Sequence, residues 1–343
     1  MGDFDSPSST IDQPSVGILG GILGHENLRR GWGRGFLAGR LGHAHLVAGP
    51  EGIGKGLLVR SWAALLLCRN PLQDRDPDPQ ACGRCPACQA LQSGNHAGYL
   101  EVSSEGGGAI EIARMREILT FLSLRNDGRR VVLIDSADQL REDAANSLLK
   151  ILEEPPAETH FLLVSHRPAR LLKTIVSRCQ SWLLGPLAED PFMQVLANKG
   201  VSSDLSSWLF RGAGGRPGAA LLLAESMQRC GGLEAFRSLL GEVPEDPRDL
   251  VALTLEEGES FDRETVRRTL RVIGDGLWAL RGDTIADRQS AATRTLMLSH
   301  LARHLERYGS PDLVIEAAAM VLRSENPEDV AQQIPRVLGS SWS

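Results

Sequence analysis

Three groups of residues have the types and spacing to do chemistry. The first is Gly49-Pro50-Glu51-Gly52-Ile53-Gly54-Lys55-Gly56, which follows the apolar run from His45 to Ala48 and precedes a helical pattern. Glycines at these positions let backbone N–H groups curl around phosphate oxygens, and Lys55 adds a full positive charge at a helix start. The second is Asp135, a carboxylate closing the apolar strand Val131-Val132-Leu133-Ile134, where a phosphate site needs a group to hold Mg²⁺. The third is Cys82-Gly83-Arg84-Cys85-Pro86-Ala87-Cys88, with Cys68 upstream.

Each phosphate-site element departs from a working one at a single position. A Ser or Thr hydroxyl should follow the lysine to ligate Mg²⁺, and here Gly56 follows it. Motor ATPases place a Glu after the strand-end Asp to polarise water, and here Ser136 stands there. A hydroxyl cannot act as a general base near neutral pH without an activating partner. Glu153 and Glu154 sit at a helix end beside Pro155-Pro156 and read as a solvated terminus. Gly49, Gly52, Gly54, Lys55 and Asp135 therefore read as a degenerate nucleotide site. In the cysteine group, two overlapping CxxC steps plus Cys68 supply four thiolates, which suits a closed, structural zinc site. A redox pair is the alternative, although redox CxxC motifs normally open a helix after a strand. Cys179 and Cys230 stand apart and read as small buried side chains.

The elements that must position these groups alternate. Strands are expected at 44–48, 99–102, 131–135, 160–165 and 180–184, and helices at 55–68, 110–124, 137–154 and 169–175, with an irregular cysteine segment over 69–98 and a glycine turn at 106–108. Alternation of this kind implies an α/β core with a parallel sheet covered on both faces. Short helices fill 187–241, broken near Gly212 to Gly218, and 243–248 reads as a linker. Helical patterns follow at 251–255, 265–280, 291–308, 311–323 and 330–337. The expected plan is a tail over 1–16, an α/β core over 17–187 with a zinc module at about 68–88, a helical lid over 188–243 and an all-α unit over 244–343.

With 343 residues, the chain is long enough for two or three domains. Its 42% hydrophobic and 23% charged content is that of an ordinary globular protein, and a net charge of −6 argues against nucleic-acid binding by bulk charge. That charge, and the lack of aromatics among the cysteines, also weakens a zinc-dependent nucleic-acid binder as a reading. No apolar run approaches the roughly 20 residues of a membrane span, and no signal peptide is visible, so a cytoplasmic place is expected.

Asp135-Ser136-Ala137-Asp138, the run from Ala144 to Pro156, and Ser177-Arg178-Cys179 together resemble the clamp-loader ATPases of bacterial DNA replication, a branch of the AAA+ P-loop class. The resemblance covers about residues 20–240, and the cysteine insertion matches the zinc module of those subunits. It implies an AAA+ core, a small lid and a C-terminal collar domain that holds a ring together. It further implies gamma/tau and delta subunits as partners, and a role in loading the beta sliding clamp onto primed DNA. Arg178 would be an arginine finger serving a neighbour's ATP site, and Ser165 would lie at the sensor-1 position. Gly56, Ser136, and Gly218 at the place of the motor's sensor-2 arginine, with Arg216 as a nearby substitute, point to the non-hydrolysing type of subunit. An active gamma/tau-like ATPase is the alternative.

Overall fold

Five strands form one parallel sheet in the order β2-β3-β4-β1-β5. The computed structural model describes residues 22–73, 78–103, 108–124, 128–255, 259–282, 284–307, 309–324, 330 and 333–338. The expected tail and Gly106-Gly107 of the expected turn lie outside them. The strands are β1 (Ala44–Ala48), β2 (Tyr99–Val102), β3 (Arg130–Ile134), β4 (Thr159–Ser165) and β5 (Gln180–Leu183). Helices α1 (Glu26–Leu37) and α2 (Lys55–Leu67) cover one face; α4 (Ile112–Ser123), α5 (Glu142–Glu153) and α6 (Lys173–Arg178) cover the other, while α3 (Pro86–Gln92) lies in the cysteine segment. This is a parallel α/β core with helices on both faces of the sheet.

The central strands β1, β3 and β4 are largely apolar because both faces are buried, whereas the edge strand β5 is mostly exposed. Their side chains divide by period two. Leu46, Val132, Ile134, Phe161 and Leu163 join the α4–α6 layer, whereas Val47, Val131, Leu133, Leu162 and Val164 join the α1–α2 layer. His45 of β1 is a polar residue within this packing. It is fully buried, accepts from Trp182 Nε1 at 3.1 Å through Nδ1, and bonds Gly42 O at 3.1 Å through Nε2. Burial pushes its pKa down to about 4, so the ring is neutral near pH 7.

Several element boundaries differ from the sequence reading. The helix expected over 137–154 is split into a 3₁₀ turn at Ala137–Gln139 and α5. The break arises because Ile110 N–H bonds Gln139 O and Arg141 N–H bonds Ile110 O, taking backbone groups that a continuous helix would use. The helix expected over 169–175 is a 3₁₀ turn at Pro168–Arg170 followed by α6. Within the irregular cysteine segment, Pro86 opens α3 at the first helical position, where its missing N–H costs nothing.

Beyond the sheet lie α7 (Glu189–Asn198), α8 (Ser203–Ala213), α9 (Pro217–Arg229), α10 (Leu233–Gly241), α11 (Arg263–Leu280), α12 (Ile285–Arg307), α13 (Pro311–Arg323) and α14 (Ile334–Leu338). A 3₁₀ segment at Pro247–Leu253 starts at the end of the linker expected over 243–248 and replaces the helix expected at 251–255. One apolar cluster runs through this whole region, from Leu187 to Leu338, and joins Phe192 and Phe236 to Ile273 and Ile315. Glu306 of α12 meets Arg167 and Arg170 just beyond β4, tying a helix to the sheet, and within the helical region Asp275 of α11 holds Arg216, which precedes α9, at 2.7 Å.

Candidate functional site

The C-terminal ends of β1, β3 and β4 open on one edge of the sheet, where parallel α/β folds place their ligands. β1 runs into the glycine loop, β3 into Asp135 and β4 into His166. Gly52 and Gly54 have φ values of +80° and +95°, and a Cβ on Gly52 would lie 2.7 Å from the Ala219 nitrogen. Only glycine satisfies both demands. α2 starts at Lys55, so its first amides face out of the helix start. Lys55 Nζ donates to Pro50 O at 2.8 Å. Burial draws the Lys55 pKa down, against the pull of Glu51, Asp135 and Asp138.

A cavity of about 730 Å³ lies over this loop. Its lining includes Gly54, Lys55, Asp135 and Ser136, and also the apolar Ile22, Leu187, Val195 and Leu221. His25 also lines it, and among the described residues its buried Nε2 has no hydrogen-bond partner. A cavity lined both by a lysine at a helix start and by apolar side chains suits a nucleotide's phosphates and base. Gly49, Gly52, Gly54, Lys55 and Asp135 thus come together at one edge as the sequence implied.

The surroundings of Asp135 were not foreseen. Arg60, one helical turn above Gly56, forms a two-point contact with Glu101 and lies 3.7 Å from Asp135 Oδ2. Tyr99 donates to Glu101 at 2.6 Å. A Cβ on Gly56 would sit 2.8 Å from Arg60 Nη1 and 3.7 Å from Asp135 Oδ2. The guanidinium therefore fills the place where a Ser or Thr hydroxyl and its metal would meet Asp135. Burial raises the Asp135 pKa, and Arg60 opposes the rise. The i,i+4 spacing of Gly56 and Arg60 was the available signal.

Three other contacts were also hidden. Glu51 of the loop is gripped by Arg267, at 3.0 Å, and by Arg271, both from α11. Burial would raise its pKa, but the two guanidinium groups overcome this and hold the carboxyl down at about 2. Ser165, fully buried, donates to Asp138 at 2.8 Å, so its hydroxyl is satisfied within the fold. Gly218 donates from its N–H to Gly52 O at 2.7 Å, and a Cβ there would lie 3.0 Å from Gly52 Cα. No side chain fits at that position without displacing the loop. Arg216 is committed to Asp275 and to Ala213 O, and is not among the residues lining the cavity.

Cys68, Cys82, Cys85 and Cys88 converge, with all their sulfurs within 4.8 Å of one another. Cys68 and Cys85 sulfurs are 4.0 Å apart, and Cys82 N–H and Cys85 N–H point at Cys68 Sγ and Cys82 Sγ at 3.3 and 3.4 Å. Amide donors of this kind stabilise thiolate charge. Four sulfurs at this spacing can hold a metal ion, with zinc the natural match for an all-thiolate tetrahedron. The Arg29–Asp78 pair, at 3.1 Å, ties the segment to α1. Cys179 is buried and Cys230 half-buried, and both are free thiols.

Arg178 ends α6. Its guanidinium pairs with Glu153 at 2.6 Å and donates to Thr174 O at 3.1 Å, with a third of the side chain exposed. It is not among the residues lining the cavity.

Residues 24–188 match the family described as DNA polymerase III, delta subunit. The chain is 45% identical over 148 residues to the DNA polymerase III subunit delta' of Pseudomonas aeruginosa, covering 42% of this chain and 44% of that protein. It is 37% identical over 192 residues to the subunit delta' of Escherichia coli K12, covering 55% of this chain and 56% of that one. The matched region thus spans about half the length of these relatives. A DNA polymerase III gamma subunit-related protein from Thermotoga maritima has a similar structure with a TM-score of 0.49 at 18% identity, over 86% of this chain and 98% of that one.

Proposed function

We propose, with the similarity of residues 24–188 to the DNA polymerase III delta-prime subunits as the premise, that this chain is a stator-like, non-hydrolysing delta-prime-type subunit of a bacterial clamp loader. The observation that carries the reading is the combination at the nucleotide edge. The loop, Lys55 and Asp135 keep their frame, while Gly56 offers no metal ligand, Ser136 no catalytic carboxylate, and Gly218 no room for a sensing arginine. Such a site can hold a nucleotide but has no means to activate water. The chain is then no ATPase on its own and acts as an accessory subunit of the polymerase holoenzyme.

Its contribution to catalysis passes to a neighbour. Arg178 stands half-buried at a helix end, and its pair with the exposed Glu153 is of the solvent-facing kind worth under about 1 kcal/mol. A gamma/tau subunit docking there would take the guanidinium at little cost and use it to stabilise charge on a transferring phosphoryl group. The other partners of this assignment are delta, the beta sliding clamp and primed DNA, reached through the complex in the cytoplasm. Residues 17–187 form the core, 188–243 the lid and 244–343 the collar. Cys68, Cys82, Cys85 and Cys88 would hold one structural Zn²⁺, whose four thiolates close the shell and leave no position for chemistry. No helix among the described residues is long and apolar enough to cross a membrane.

The test is ATP turnover and clamp loading by a reconstituted ring carrying Arg178→Ala. Turnover at the adjoining motor site should fall by about 10³–10⁵, with the ring still assembled by gel filtration. Glu153→Gln is the control and should leave turnover unchanged. Full activity of the Arg178→Ala ring would make that arginine an ordinary surface charge and overturn the assignment.

A further inference from the structure

AAA+ nucleotide sites employ Mg²⁺, and the residues around this cavity do not fit that ion. Gly56 supplies no hydroxyl. The space between Gly56 and Asp135 holds the Arg60 guanidinium, with Nη1 2.8 Å from where a Cβ on Gly56 would be and Nη2 3.7 Å from Asp135 Oδ2. A hydrated divalent cation on Asp135 would have to displace a side chain anchored at two points on Glu101, which is itself bonded to Tyr99. Arg60 is mostly buried, 20% exposed, and lines the cavity beside Lys55.

We propose that Arg60 takes the metal's place, so that this cavity receives a nucleoside di- or triphosphate in its metal-free form. The inference rests on the nucleotide-site reading above and adds the form of the ligand to it. The chemistry is that of a fixed cation. A guanidinium offers planar, charge-assisted donors to phosphate oxygens and cannot lose its proton near neutral pH. From its present position it also neutralises Asp135, the carboxylate that would otherwise repel an uncomplexed phosphate chain. Mg²⁺ ordinarily does both jobs, bridging phosphates and screening that Asp. A covalently attached cation has no open coordination position, so a nucleotide held this way is retained without being prepared for attack by water.

The experiment is calorimetric titration of the full chain with ADP and with ATP, in excess MgCl₂ and again in excess EDTA. Wild type should bind with the same affinity in both. Arg60→Met, which keeps the length of the side chain and removes the charge, should lose about tenfold in EDTA, the loss of one charge-assisted contact. The double variant Arg60→Met, Gly56→Thr should bind at least about tenfold more tightly with Mg²⁺ than without it, because the hydroxyl and the vacated space restore a metal position beside Asp135. Arg60→Lys, which keeps a charge at the site, should fall between wild type and Arg60→Met and serves if the methionine variant does not fold. Wild-type binding that collapses in EDTA would overturn the role of Arg60 and leave the nucleotide cavity standing. Unchanged EDTA affinity in Arg60→Met or Arg60→Lys would do the same. Absence of wild-type binding under both conditions would defeat the nucleotide reading, and the metal-free form with it.

Discussion

Glu51→Gln isolates the grip of α11 on the phosphate loop. The carboxylate lies between Arg267 and Arg271, which draw its pKa from 4.5 to about 2 despite burial. A shift of that size corresponds to about 3.4 kcal/mol by linkage. Since about a third of the Glu51 side chain still meets solvent, screening reduces this to roughly 2 kcal/mol. The folded-state pKa is depressed, so the contribution is full above the unfolded pKa and is lost as pH falls through the folded one. Urea unfolding of wild type and Glu51→Gln from pH 7 downward should show wild type ahead by roughly 2 kcal/mol at neutral pH. The gap should close between about pH 4.5 and 2. Glutamine keeps the shape of the side chain but turns one acceptor oxygen into a donor, so the pH-dependent part of the difference reports the charge. A gap independent of pH, or no gap at pH 7, would refute the claim that these two arginines hold the loop through the Glu51 carboxylate.

The other expectations concern the thiolate cluster and the lid contact. Cys85→Ser should release about one zinc per chain by metal analysis and lower the thermal unfolding midpoint, because three remaining thiolates leave the shell open. Retention of a full equivalent of metal would contradict the assignment of Cys85 as a ligand. Gly218→Ala should lower stability by about 1 kcal/mol or more in thermal unfolding. Its Cβ would lie 3.0 Å from the Gly52 backbone, and the strain of about 1–3 kcal/mol outweighs the better helix propensity of alanine. A stabilised variant would mean that the loop can move aside freely.

Much of the fold was legible because the central strands are buried on both faces. Its strands read as short apolar runs with glycine or carboxylate ends, and β2 matches its expected bounds of Tyr99 and Val102. α13 matches Pro311–Arg323 for a similar local reason: proline opens it, and an unbroken apolar periodicity carries it. Where the reading slipped, a long-range contact was at work. The helix from Ala137 was interrupted by backbone bonds to Ile110, which no local propensity announces. The cysteines read as one cluster because the spacing confines three of them to a turn, and Cys68 at the end of α2 is carried to it by the fold.

By itself, the sequence determined which groups exist and which are missing. A hydroxyl absent at Gly56 and a carboxylate absent at Ser136 remain absent in any fold, so these two departures were decided at the level of residue type. Tertiary structure decided what stands in the vacated space. Arg60, Glu101 and Asp135 come from α2, β2 and the end of β3, and Glu51 of the loop meets Arg267 and Arg271 of α11. Ion pairs between residues far apart in the chain depend on where packing puts their backbones. Composition and spacing carry no record of that, because charge acts through space.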